Sequence, residues 1–160
     1  MSSPILTKYR YRRRLPHLQR ADCTLFVTFR SHGPGTLPPL ARDLVLDHFF
    51  RENGKRVNLH AVVVMPNHVH LLITPLRNLD GWPYPLVDIL QCLKSTTAHL
   101  INKLLHLNGP VWQDESLDHI LRSEESLKEK IEYIRQNPVR RGLVRRPEDY
   151  RWLWVNPDLI

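Results

Sequence analysis

Two histidines stand one residue apart in Met65-Pro66-Asn67-His68-Val69-His70-Leu71-Leu72. The flanking runs, Val62-Val63-Val64 and Leu71-Leu72-Ile73, are apolar, so the pair is expected on a buried strand. Side chains alternate faces along a strand, which turns both imidazoles one way and Val69 the other. Two imidazoles on one face can close on a single divalent ion, and the apolar frame would hold them rigidly. They do not complete a site by themselves. A third group must come from elsewhere in the chain, and water or substrate must fill the rest. The same spacing also suits two polar residues on a half-exposed strand. The other histidines, His17, His32, His48, His60, His99, His106 and His119, have no matching spacing. Cys23 and Cys92 form no C-x-x-C pair and cannot build a zinc site alone, so both are expected as buried, reduced thiols.

A second candidate lies in Leu127-Lys-Glu-Lys-Ile-Glu-Tyr133-Ile-Arg-Gln-Asn137-Pro138. At about 100° per residue, Leu127, Ile131 and Ile134 form one apolar stripe of a helix, and Tyr133 falls more than about 90° from its centre. Tyr133 shares its face with Ser126, Glu129, Lys130 and Asn137. The alternative is a surface tyrosine on a charged helix. Tyr133 and Asn137 are four residues apart, so both side chains can reach one point. A phenol ionises only near pH 10, roughly, so it needs help to attack a phosphodiester. A metal ion that polarises the phosphate supplies that help. Attack would leave a covalent phosphotyrosine, which conserves the bond energy for rejoining. The histidine pair and the tyrosine thus account for one another.

The elements that must position these groups are legible in outline. Residues 24–29 read as a strand, 31–39 as a loop, and 40–50 as an amphipathic helix with apolar residues at 40, 44, 45 and 49, closed by Asn53-Gly54. Residues 57–65 and 69–74 read as two strands of a hairpin broken by Pro66-Asn67. A helix is expected over 86–107, with its stripe at Leu86, Ile89, Leu90, Leu93, Thr97, Leu100, Ile101 and Leu104, and Asn108-Gly109-Pro110 stops it. Residues 111–120 are ambiguous between a short strand and an irregular connection, and Trp112 there is expected in the core rather than on a ligand. Ser123 caps a helix running to about Gln136, with Pro138 marking its end. Strand, helix, hairpin, helix, helix argues for an α+β fold with an antiparallel sheet and helices mainly on one face. A ferredoxin-like arrangement fits, although its last strand is not evident. Residues 1–20 read as a basic arm and 21–160 as a single domain.

The chain has 160 residues, 42% hydrophobic and 24% charged, an ordinary composition for one folded domain. No apolar run reaches the roughly 20 residues of a membrane span, and the N-terminus lacks the apolar stretch of a secretory signal. The expected location is cytoplasmic. The formal charge of +7 favours polyanionic partners, nucleic acid first among them. It is clustered in Lys8-Tyr-Arg-Tyr-Arg-Arg-Arg14, and again in Arg135, Arg140, Arg141, Arg145 and Arg146. Arginine forks suit phosphates and tyrosine rings can stack on unpaired bases. A solvated basic tail would read the same way.

The segment MPNHVHLLI resembles the histidine-hydrophobe-histidine motif of the HUH endonuclease superfamily. YIRQNPVRRGLV resembles the tyrosine-helix signature of REP-associated tyrosine transposases, relatives of the IS200-like single-tyrosine transposases. RRRLPHLQ, FVTFR and WQDESLDHILRSEESLKEKIEYIRQNPV follow the same family habit, so the likeness covers nearly the whole chain. It implies a ferredoxin-like fold with the histidine motif on a central strand. It implies Mg²⁺ or Mn²⁺, cleavage and rejoining of hairpin-associated single-stranded DNA, and a 5′-phosphotyrosine intermediate. His68 and His70 match the metal ligands and Tyr133 the nucleophile. Asn137 stands where insertion-sequence relatives carry a metal-binding glutamine, one methylene longer. Arg10, Arg12, Arg13, Arg14, Arg135, Arg140 and Arg141 are the expected nucleic-acid contacts. The expected protein is a monomer or homodimer, nucleoid-associated, with no membrane partner and no small-molecule substrate.

Two other readings fit parts of the pattern. A non-catalytic nucleic-acid-binding protein on the same scaffold would need the arginines but not the histidines or the tyrosine. A metal-dependent hydrolase of a small phosphate ester would use water as its nucleophile. It would leave both Tyr133 and the charge of +7 without a role.

Overall fold

The computed structural model describes residues 7–9, 17–19 and 22–160. Of the basic segment 1–20, two short strands are described, β1 (Thr7–Tyr9) and β2 (His17–Gln19), paired antiparallel. Arg10, Arg12, Arg13 and Arg14 lie outside the described residues.

The sheet is built from β3 (Leu25–Ser31), β4 (Val57–Val64), β5 (His68–Pro75), β6 (Trp112–Ile120) and β7 (Leu153–Val155). Their order is β6-β3-β5-β4-β7, with every neighbouring pair antiparallel. Between them run α1 (Pro39–Glu52), α2 (Leu86–Leu105) and α3 (Glu124–Arg140). The unit β3-α1-β4-β5-α2-β6 is the ferredoxin-like arrangement expected, and β5, the histidine strand, is the middle strand of five. The fourth strand of that unit, which residues 111–120 left ambiguous, is β6. Its polar sequence hides it, because an edge strand with one solvated face carries fewer apolar residues.

Alternation sorts the sheet into two faces. Val27, Phe29, Val69, Leu71 and Ile73 pack with α1 and α2, while Ala61, Val63 and Leu72 pack against Ile131 and Ile134 of α3. Two helices share one face, as expected, and the third takes the other. A bulge at His60 shifts the register between Leu59 and Ala61. It moves the buried parity of β4 from odd to even residues on the α1/α2 side, Leu59 before it and Val62 and Val64 after. Pro66 and Asn67 form the tip of the β4–β5 turn, where the Met65 N–H donates to the His68 carbonyl at 2.8 Å. β5 thus begins at His68, one residue earlier than the sequence suggests.

Helix α1 turns its Ala41, Val45, His48 and Phe49 inward, leaving Leu40 62% exposed. The expected stripe at 40, 44, 45 and 49 is therefore rotated by about one residue. Spacing by four from Ala41 through Val45 to Phe49 selects this face. In α2 the expected stripe holds at Leu86, Ile89, Leu90, Leu93, Thr97 and Ile101, while Leu100 is only half-buried and Leu104 is 37% exposed. Trp112 is buried, and its indole N–H donates to the Thr97 hydroxyl at 2.9 Å.

Helix α3 runs through Pro138 to Arg140 rather than ending near Gln136. Proline removes one amide donor, but the following turn compensates. The Arg141 N–H donates to the Asn137 carbonyl at 3.1 Å, and the Leu143 N–H donates to the Pro138 carbonyl at 2.9 Å. Ser123 caps the other end, accepting from the Ser126 N–H at 3.2 Å. Ile134, fully buried, seats the helix on the sheet. Ile134→Ala should cost about 2–5 kcal/mol, read as a lowered urea midpoint with an unchanged slope.

Candidate metal and nucleophile site

His68 and His70 point to the α3 face of β5, their ring centroids 4.7 Å apart. Both are buried, at 3% and 6% exposure. Each ring is fixed through Nδ1. His68 Nδ1 lies 2.7 Å from the Asn67 side-chain oxygen, and His70 Nδ1 lies 2.7 Å from the Thr28 hydroxyl. An amide oxygen can only accept, so His68 carries its proton on Nδ1. With Nδ1 of both rings engaged, Nε2 is the nitrogen left to offer a lone pair. Hydrogen bonds of this kind orient histidine ligands in metal sites.

Burial is the main reason that the histidines resist protonation. His68 is lowered to about 4, with Arg30 and Arg141 adding to the effect. His70 is lowered to about 3, with His68, Arg30, Lys130 and Arg141 contributing after burial. Both rings are therefore neutral at pH 7, the form that binds a metal.

Asn137 is brought to the pair, as the sequence suggests. It is 6% exposed and its Oδ1 is buried without a hydrogen-bond partner. The amide lies near enough to favour protonated His68 slightly. With no hydrogen-bond partner of its own, the oxygen keeps its lone pairs open. Asn137 sits within the helix, not at its end, so the backbone holds its aim. Two neutral ring nitrogens and one orphaned amide oxygen are a donor set that suits a divalent cation with water or substrate filling the other positions.

Tyr133 is half-buried rather than a surface residue. Its ring meets His70 edge-on at 5.4 Å and Phe26 edge-on at 5.8 Å. Phe26 also stacks on His70 at 5.3 Å. Lys130 lies 5.5 Å and Arg140 5.2 Å from the tyrosine ring centroid. Tyr133 and the histidines thus face one another across a niche, with Lys130 and Arg140 against the tyrosine ring and Arg30 and Arg141 close enough to act on the histidines.

Arg135 is placed differently from the other expected contacts. It pairs with Glu148 at 2.8 Å and Glu132 at 3.3 Å, so its charge is balanced by neighbouring carboxylates at the surface. Phe26, Thr28, Arg30, Asn67 and Lys130 are the site residues that sequence reasoning missed. A signal existed for three of them. Phe26, Thr28 and Arg30 alternate on one face of β3, with Thr28 opposite His70 and Arg30 opposite His68.

Fold and site together define a ferredoxin-like α+β protein whose central strand presents a histidine pair to a tyrosine-bearing helix. No protein-family model matches the chain. It is 25% identical over 104 residues to a Haemophilus influenzae protein named as a REP-associated tyrosine transposase, covering 62% of this chain and 59% of the relative. The match therefore spans less than two thirds of the relative's length. Among solved structures, a REP-associated tyrosine transposase bound to a REP hairpin superposes with a TM-score of 0.71 at 19% identity, over 92% of this chain and 82% of that one. A bacterial tRNA(His) guanylyltransferase (Thg1)-like protein in complex with GTP shares the fold more distantly, with a TM-score of 0.53 at 10% identity over 74% and 64%. The chain is similar to REP-associated tyrosine transposases in sequence and in fold.

The buried and half-buried histidines make stability depend on pH. His48, His60, His68 and His70 are all lowered from 6.5, burial being the largest cause in each. Below pH 6.5 the unfolded chain takes up protons that the fold refuses. Stability is therefore full above pH 6.5 and is lost as the pH falls through about 4 for His68 and about 3 for His70. Urea midpoints measured between pH 7.5 and 5 should fall, and should fall less in His70→Gln.

Proposed function

We propose that the protein is a metal-dependent DNA strand transferase that nicks and rejoins hairpin-associated, REP-like single-stranded DNA. The observation that carries this reading is the placement of Tyr133 edge-on to His70, a histidine kept neutral by burial and aimed by Thr28. His68 and His70 would hold Mg²⁺ or Mn²⁺ through Nε2, with Asn137 Oδ1 as the third protein ligand. The ion, when bound, would polarise the scissile phosphate and offset its developing charge.

The remaining work falls to the protein's own residues. Tyr133 Oη attacks phosphorus, the bond from phosphorus to the 3′ oxygen breaks, and the strand's 5′ phosphate becomes attached to the tyrosine. The phenol proton passes overall to the departing 3′ hydroxyl. One phosphodiester is exchanged for another, so a second 3′ hydroxyl can reverse the step and join a new end. Lys130, Arg140, Arg141 and Arg30 surround the niche with positive charge suited to the phosphate backbone. Arg135 supports the helix through its ion pairs.

Residues 21–160 act as one catalytic domain in this reading, and the basic segment 1–20, with Arg10, Arg12, Arg13 and Arg14, adds grip on the DNA. The protein acts as a monomer or homodimer on DNA in the cytoplasm, at the nucleoid. No helix among the described residues is long and apolar enough to cross a membrane.

Incubation with labelled single-stranded REP-type hairpin DNA and Mn²⁺ should yield a covalent adduct on a denaturing gel. Tyr133→Phe should abolish the adduct while leaving hairpin binding within about twofold. An adduct that persists in that variant, or in excess EDTA, would overturn the assignment. Salt-sensitive binding without any adduct would favour the non-catalytic nucleic-acid-binding protein instead. Thr28→Val, which frees His70 Nδ1, should weaken Mn²⁺ binding by about ten- to a hundredfold, measured by calorimetry.

A further inference from the structure

On the opposite side of the sheet from the tyrosine niche, α1 and α2 bring together three potential ligands. His48 and Glu52 stand one helical turn apart on α1, and Cys92 meets them from α2. A ring nitrogen of His48, a carboxylate oxygen of Glu52 and the Cys92 sulfur all lie within 4.8 Å of one another. His48 is 8% exposed, and its Nε2 is buried without a hydrogen-bond partner. A buried polar atom left unpartnered costs about 1–3 kcal/mol unless something else satisfies it. Burial also disfavours the protonated ring, so the lone pair is available.

We propose that His48, Glu52 and Cys92 form a second metal site, taking a borderline-soft divalent ion of the zinc class and clamping α1 to α2. The donor set decides the class. Imidazole, thiolate and carboxylate together suit Zn²⁺ or Co²⁺, whereas Mg²⁺ takes oxygen ligands. Bonds of about 2.0–2.3 Å to a tetrahedral ion set the ligand atoms about 3.3–3.8 Å apart. Closing the observed spread to that value takes about 1 Å of movement, within reach of side-chain rotation at Glu52 and Cys92, both half-buried. Three protein ligands leave a fourth position for water. The thiol releases its proton to solvent as the ion binds, and thiolate plus carboxylate then balance the ion's charge.

The position gives the site its effect. α1 connects β3 to β4, and α2 connects β5 to β6. A metal bridge between these helices therefore ties together both crossovers behind the strands that carry Thr28 and His70. The site stabilises the scaffold without touching the niche, and it stands apart from the transferase reading because its signature comes from sulfur.

Titration of the full chain with Co²⁺ tests this directly. A thiolate-to-cobalt charge-transfer band in the near ultraviolet should appear at one equivalent of bound sulfur. It should persist in Cys23→Ser and in the double variant His68→Ala/His70→Ala, and vanish in Cys92→Ser. Glu52→Gln should weaken cobalt binding by about tenfold or more. Zn²⁺ at a hundredfold excess over its Kd should raise Tm by roughly 5–10 °C in the wild type and not in Cys92→Ser. Equal circular dichroism of the two proteins in EDTA shows that Cys92→Ser is folded. No band in the wild type, or a band that survives Cys92→Ser, overturns the proposal. So does a band that disappears with the His68/His70 double variant.

Discussion

Two imidazoles held uncharged on the middle strand of a sheet are the constraint that the rest of the structure meets. A histidine near the surface would be half protonated close to neutral pH. Here burial, the neighbouring ring and nearby guanidinium groups all disfavour the cation. The cost of burying the rings is limited because Asn67 and Thr28 satisfy one nitrogen of each. The other nitrogen is left for a ligand. Strand β5 can carry such groups because its opposite face, Val69, Leu71 and Ile73, is sealed by two helices. The apolar side of the strand supplies the rigidity that the polar side uses.

Helix α3 completes the arrangement from the other face. Ile131 and Ile134 fix its position, so Asn137 and Tyr133 arrive at the histidines as rigid parts of one element. Pro138 does not break this geometry, because the turn that follows it satisfies the carbonyls of Asn137 and Pro138. The asparagine is consequently held by helix on both sides. Its shorter reach, compared with a glutamine, is matched by a buried position close to His68.

The positive charge is divided between structure and surface. Arg135, Arg146 and Arg151 are engaged with carboxylates of the fold. Arg140 and Lys130 instead face the tyrosine ring, and Arg30 and Arg141 act on the histidines. The same cations that discourage histidine protonation would therefore attract a phosphate backbone. Net charge alone does not separate these roles, because a paired arginine and an available one count equally in a sequence.

Local pattern was enough to identify the histidine strand, its hairpin, the three helices and the tyrosine–asparagine pair. Those features depend on period-two and period-3.6 spacing and on turn residues, which are properties of neighbouring positions. The polar edge strand β6 was not legible, because its place is set by pairing with β3 and not by its own apolar content. Nor was the inward face of α1, since only docking against the sheet selected Ala41, Val45, His48 and Phe49 over the rival stripe. The partners Thr28 and Arg30 come to His70 and His68 across a strand pairing of about forty residues' separation. Cys92 comes to His48 and Glu52 across a helix–helix contact of similar separation. Chain distance carries no information about such contacts. The sequence determined which groups could do chemistry and on what kind of element each would sit, and the tertiary structure alone decided which of them meet, because meeting is fixed by register and helix docking.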